Sequence, residues 1–145
     1  LDTEIAEIDE ELKPLVKKAT PTTISRTGIG IQHAATLLIA AGENIDRFGS
    51  ERAFAKLCGT APLPASSGQI TRHRLNPGGN REANKALHMI VVVRLRYCDD
   101  TRAYMQRRLA EAKTKKEIIR CLKRYIIRQI YRDLRADLAT LELRT

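Results

Sequence analysis

CGTAPLPASSGQITRHRLNPGGNR, Cys58 to Arg81, is the stretch on which the reading of this chain turns. It holds three prolines and four glycines. Proline removes a backbone donor and glycine costs order, so no regular helix runs through it. It reads as a loop, and a loop of about 20 residues inside a compact chain is usually either functional or disordered. Helical patterns on both sides favour function. The loop offers two small nucleophiles, Ser66 and Ser67, followed closely by Arg72, His73 and Arg74. A hydroxyl thus lies near a cluster of phosphate-binding cations.

Working outward toward the N-terminus, Ser50 is placed to cap a short helix from Glu51 to Leu57 that feeds the loop. Before it, Thr27-Gly28-Ile29-Gly30-Ile31 leads into the apolar run HAATLLIAAG, which ends at Gly42. Glycines at both turn positions allow positive φ and bare successive N–H groups at a helix start, a geometry that receives a phosphate oxygen. The segment resembles the hairpin of a helix-hairpin-helix DNA-binding module, whose contacts go to the nucleic-acid backbone. A purely structural turn accounts for the same glycines equally well. Further back, Leu1, Ile5, Ile8, Leu12 and Leu15 step by four and three, the a/d seam of a coiled coil, with Pro21 at its far boundary. Two heptads are too few to be stable alone, so the seam is expected to belong to a longer coiled coil. An ordinary amphipathic helix packed on the domain is the alternative.

Toward the C-terminus, Asn80 is the expected cap of a helix from about Arg81 to Cys98, with Ala83, Ala86, Leu87, Ile90, Val91 and Arg94 on one face. Its first turn carries Arg81 and Lys85 where acids are usual, an arrangement that suits an anion. A helix from about Thr101 to Ala112 follows. Thr114 and Glu117 then fit a capping box that opens the last helix, about Lys115 to Leu138. Ile118, Leu122, Ile126, Ile130 and Leu134 form its apolar stripe, and Lys115, Lys116, Arg120, Lys123, Arg124 and Arg128 lie on other faces.

Charge supports the same direction. The 145 residues carry a formal net charge of +9. Residues 1–18 hold six acids against three lysines, a net of −3, which leaves +12 for the remainder. From Arg72 to Arg132 there are 17 Lys and Arg against five Asp and Glu. Such a polycation points to nucleic acid first. The longest apolar run, Met89 to Val93, is far too short for a membrane span, and no membrane partner is expected. The three cysteines, Cys58, Cys98 and Cys121, lack CxxC spacing and read as small hydrophobes in a reducing compartment. No cluster of Asp, Glu, His or Cys has metal-ligand spacing. A serine hydroxyl is a weak nucleophile unless a base, a metal or a strong field assists it. Arg72, Arg74, Arg81 and Lys85 could supply that field at a scissile phosphate, whereas His73 is the only nearby base and reads as a surface residue. From residues alone, a serine turn in a basic loop is usually non-catalytic.

The succession GIG…AATLLIAAGENIDRFGSERAFAKLCGTAP, SSG, HRLNPGGNREANKALH resembles the C-terminal domain of transposases of the insertion sequence 110/116/902 family. The likeness runs from about Thr27 to Arg135 and includes Phe48 and Ser50 at a helix start, Gly59 and Pro62, the Ser-Gly pair, and Asn80-Arg81. The turn Pro77-Gly78-Gly79-Asn80 departs from the family's more cationic pattern. The resemblance implies that the serine before Gly68, Ser67, attacks DNA to give a phosphoserine intermediate, with Ser66 in reserve. It implies Mg²⁺ bound by a DEDD set in an N-terminal ribonuclease-H-fold domain outside this chain, and no cofactor here. It further implies DNA and a guide (bridge) RNA as partners, a homo-oligomer through the coiled coil, and a cytoplasmic, nucleoid-associated place in a prokaryote. The chain by itself is expected to bind nucleic acid through Gly28, Gly30, Arg72, Arg74, Arg81, Lys85, Lys115, Lys116, Arg120, Lys123, Arg124 and Arg128, and not to recombine DNA.

The expected fold is all-α, with five or six helices. Residues 1–20 form the end of a coiled-coil linker and 21–145 the domain proper: a helix-hairpin-helix-like element at 24–58, the serine loop at 59–80, and basic helices at 81–138. A non-catalytic helix-hairpin-helix module and a dimerisation module with an incidental basic face are the other readings.

Overall fold

The computed structural model describes residues 2–42, 45–59 and 80–144. Among them are seven α-helices and no strand: α1 (Asp2–Ala19), α2 (Pro21–Ile24), α3 (Ile31–Ala41), α4 (Glu51–Leu57), α5 (Arg81–Tyr97), α6 (Asp99–Ala110) and α7 (Lys115–Arg144), with a 3₁₀ turn at Ile45–Phe48. The all-α expectation is met. The additional helix is the four-residue α2, too short to leave a periodic signature.

Local chemistry explains the starts. Ser50 Oγ accepts the Ala53 N–H at 3.2 Å and Asn80 Oδ1 accepts the Ala83 N–H at 2.9 Å, so both are side-chain caps. Thr114 Oγ1 accepts the Glu117 N–H at 3.1 Å, half of the expected capping box. The Glu117 carboxylate, instead of returning to the Thr114 backbone, accepts the Thr114 hydroxyl at 3.1 Å. Two boundaries differ from expectation. The sixth helix begins at Asp99, not Thr101, because two acids can occupy its first turn once Cys98 becomes extended. The last runs to Arg144, six residues past Leu138.

The 30-residue α7 is the axis of the molecule. Its expected stripe, Ile118, Leu122, Ile126, Ile130 and Leu134, is buried in full, together with Ile127 and Tyr131. Against it pack α2, α4, α5 and α6, and α3 lies on α5. Leu37, Phe54, Leu87, Ile90 and Val91 complete the core at 0% exposure. Phe54 bridges two aromatic neighbours, Phe48 with ring centroids 5.3 Å apart and Tyr131 at 5.8 Å. On α1, which meets α3 and α7, Val16 is buried while the seam positions Leu12 and Leu15 are 46% and 62% exposed. Those two leucines contribute little to this core.

Two carboxylates of α7 face inward and hold the segment after α1. Asp137, 4% exposed, accepts the Thr22 and Thr23 N–H groups at 3.1 and 3.0 Å and the Thr23 hydroxyl at 2.9 Å. It thereby caps the start of α2 from across the fold, since Thr20 instead donates its hydroxyl to Val16 O at 2.7 Å. Asp133, 3% exposed, takes both Nε and Nη2 of Arg26 at 2.9 and 3.2 Å. The pairing raises the pKa of Arg26 through its hydrogen bonds and charge.

Candidate nucleic-acid interface

Of the two glycines of the Gly-Ile-Gly turn, only Gly28 adopts positive φ, at +85°. Gly30 is extended, with φ −84° and ψ 178°, and caps α3 by backbone alone. Of the positive φ that the sequence allows at both turn positions, the structure uses one, at Gly28. Gly28 also lies against α5. A Cβ built on it would meet Ile90 O at 3.1 Å and Arg94 Cγ at 3.3 Å, a tight approach that adds to the preference for glycine set by its positive φ. At Gly30 a Cβ would meet open space.

The ends of the central loop meet. The Asn80 N–H donates to Leu57 O at 2.7 Å, so the chain leaves α4 and enters α5 through one neck. Gly59, at φ +75°, stands with its Cα side against the Asn84 amide. Asn84 Oδ1 in turn accepts Lys123 Nζ at 3.1 Å, which ties α7 to the neck. Burial and then the neighbouring Arg120 lower the pKa of Lys123. Ser66, Ser67, Arg72, His73 and Arg74 lie outside the described residues.

Around that neck the expected cations sort into two groups. Arg81 is one turn before Asn84 on α5, and Lys116 and Arg120 precede Lys123 by seven and three positions on α7, so all share its flank. Arg81, Lys116, Arg120 and also Lys115 are exposed and pair with no carboxylate among the described residues. Lys85 is exposed with Glu82 at 3.9 Å. By that helical spacing Arg81, Lys116 and Arg120 join Lys123 in a cationic collar beside the neck, with Lys85 and Lys115 near them in sequence.

Arg124 and Arg128 stand elsewhere. Arg124 forks onto Glu51, its Nη2 at 3.2 Å from Oε2 and its Nη1 against Oε1, and its side chain is only 18% exposed. Burial lowers its pKa, with Arg128 adding to the effect. Arg128 is 4.0 Å from the same carboxylate. Arg128 and Glu51 border a cleft of about 600 Å³ between α4 and α7 that is also lined by Asp46, Arg132 and Arg135, the last bonded to Asp46 at 2.9 Å. Arginines and acids alternate there, so that groove offers an anion less than the collar does. Sequence alone could not rank these arginines, because Glu51 and Arg124 are 73 positions apart.

Among the described residues, no three His, Cys, Asp or Glu side chains converge on a metal position. No described helix is long and apolar enough to cross a membrane. Cys58 is fully buried, and desolvation pushes its thiol up to about 12, far from a working nucleophile.

The fold and its surface define an all-α domain with cations flanking the neck between α4 and α5. A family model described as Transposase IS116/IS110/IS902 family matches residues 23–106, more than half of the 145 residues. The chain belongs to that family. It is 28% identical over 138 residues to the insertion element IS900 uncharacterized 42 kDa protein of Mycobacterium paratuberculosis, covering 93% of this chain and 35% of that protein. It is 29% identical over 117 residues to the insertion element IS110 uncharacterized 43.6 kDa protein of Streptomyces coelicolor, covering 80% of this chain and 29% of that one. The chain thus spans about a third of the length of the curated relatives it matches.

Proposed function

We propose that this chain is the DNA-engaging, serine-bearing part of a transposase that cuts and rejoins DNA strands. The observation that carries the reading is the neck at Leu57 and Asn80 with its collar of cations. A polyanion drawn to Arg81, Lys116, Arg120 and Lys123 lies beside the connection whose sequence includes Ser66 and Ser67. Family membership agrees with DNA transposition as the process served.

In this reading Ser67 Oγ attacks a backbone phosphorus and the Ser67–DNA phosphoester forms. The bond from phosphorus to one deoxyribose oxygen breaks, and that oxygen leaves with a proton. Attack by a second strand's hydroxyl then restores the serine. Arg72, Arg74, Arg81 and Lys85 stabilise charge on the non-bridging oxygens. Mg²⁺ belongs to acidic residues of a companion domain, a guide RNA selects the DNA, and the seam through Leu12 and Leu15 joins copies.

The test is covalent trapping with full-length protein, Mg²⁺, cognate RNA and end-labelled DNA, resolved under denaturing conditions. A protein–DNA adduct mapping to Ser67 and absent from Ser67→Ala is expected, with binding retained. Tight, salt-sensitive binding with no adduct would overturn the serine chemistry and leave a non-catalytic nucleic-acid module.

A further inference from the structure

A second cleft, of about 480 Å³, opens between α5, α6 and α7 and shares no residue with the collar. Its walls are Tyr104, Tyr125, Leu122 and Ile126, with Arg94 and Arg107 also lining it. Arg94 is unusual there. It is 8% exposed, and it donates Nε to Thr27 O at 2.7 Å and Nη2 to Gln129 Oε1 at 2.9 Å, both uncharged acceptors. Its remaining nitrogen, Nη1, has no hydrogen-bond partner among the described residues. The nearby carboxylate, Asp133, is already held at both oxygens by Arg26. Arg94 therefore makes no ion pair with that carboxylate among the described residues, and burial lowers its pKa. A buried cation in that position favours an acceptor-bearing ligand.

The rest of the cleft narrows the ligand's chemistry. Tyr125 lines the cleft and is 60% exposed, so its ring is accessible from solvent. The Arg107 guanidinium lies 5.4 Å from the Tyr104 ring centroid. Asp100 also lines the cleft and repels a bare anion from that side, while it can accept from an amino group. Aromatic and aliphatic walls, an acceptor-seeking floor, one carboxylate and a cationic neighbour match a planar heterocycle carrying both acceptors and donors, with a phosphate attached. Bases inside a duplex are stacked and cannot enter.

We propose that this cleft receives an unpaired base of single-stranded DNA, stacked on Tyr125 with its acceptor edge toward Arg94 and its phosphate near Arg107. The assignment rests on the reading that the chain engages DNA. It adds a site that holds displaced strand away from the collar.

The chain has no tryptophan, so Tyr125→Trp supplies a single indole reporter. It is titrated with a 12-nucleotide single-stranded DNA, the same sequence as RNA, and a blunt duplex. Duplex binding to the unsubstituted protein is followed in parallel by anisotropy. Single-stranded DNA is expected to quench the indole of Tyr125→Trp by half or more and the duplex only slightly. Tyr125→Ala should weaken single-strand binding about tenfold, a typical loss for one stacking platform, and leave duplex binding unchanged. Tyr97→Trp, exposed and outside the cleft, is the matched control. Equal quenching at positions 97 and 125, or equal losses for both DNA forms in Tyr125→Ala, would overturn the site. Preferential quenching by RNA would overturn the DNA assignment. A silent indole in Tyr125→Trp with intact duplex binding refutes the cleft alone, whereas loss of all DNA binding by the unsubstituted protein refutes the functional reading as well.

Discussion

Replacing Asp137 by alanine removes one side chain and three hydrogen bonds at once. The carboxylate is 4% exposed and receives Thr22 N–H, Thr23 N–H and the Thr23 hydroxyl, all within 3.1 Å. Bonds to a charged acceptor contribute about 1.5–3 kcal/mol each, but they share one carboxylate whose own desolvation is unfavourable. They therefore do not add in full. In Asp137→Ala the Thr23 hydroxyl and N–H remain buried with no acceptor, at a cost of about 1–3 kcal/mol for each unsatisfied group. A net loss of about 3 kcal/mol is expected, and about half of that for Asp137→Asn, which keeps one acceptor oxygen. Urea unfolding followed by helical circular dichroism measures it, with Thr23→Val and the double variant completing a cycle. A loss below about 1 kcal/mol would refute the capping role. So would a Thr23→Val effect of equal size in both backgrounds, since coupling between the two side chains is the substance of the claim.

Gly28→Ala places a Cβ 3.1 Å from Ile90 O at φ +85°, so a loss of about 1–3 kcal/mol is expected in thermal or urea unfolding, whereas Gly30→Ala should be nearly neutral. Lys116→Gln with Arg120→Gln removes two collar cations and should flatten the slope of log affinity for duplex DNA against log salt by about 1.8, with little change in stability. The Arg128→Gln slope should move less, because Glu51 already lies 4.0 Å from that guanidinium. Cys58 has a folded-state pKa raised from 9.0 to about 12, so the thiol form is favoured by folding. Its stabilising contribution is complete below pH 9 and is lost as pH rises from 9 toward 12. The urea midpoint of the parent protein should therefore fall more steeply over that window than that of Cys58→Ala.

Local rules are readable where the signal lies within one or two turns. Ser50, Asn80 and Thr114 announce three helices, and each shows its cap. Step-of-three-and-four spacing finds the buried faces of α5 and α7, Arg94 included. What cannot be read is pairing across the fold. The acids Asp133 and Asp137 sit four apart among arginines and look like ordinary surface residues until the segment 20–26 is laid on them. Arg26 and Asp133 are 107 positions apart. The same holds for the candidate sites. The positions of Arg81 and Lys123 are legible as cationic, but only Asn84, bonded to Lys123 at 3.1 Å, explains why they share a location. Arg94 reads as one more member of an apolar stripe, with no hint that its buried guanidinium lines a cleft with two tyrosines.

The fastening of Thr22 and Thr23 to Asp137 spans 115 and 114 positions, and Arg26 to Asp133 spans 107. During synthesis the early segment therefore leaves the ribosome long before the residues that anchor it exist. At roughly 5–20 residues per second the wait is on the order of 6–20 s. Through that interval α3 and α4 can form and α1 can meet α3, but the segment from Thr22 to Arg26 has no anchor. The domain becomes complete only when the second half of α7 has been made, so a chain cut short before Asp133 would lose both carboxylates that fasten the segment from Thr22 to Arg26.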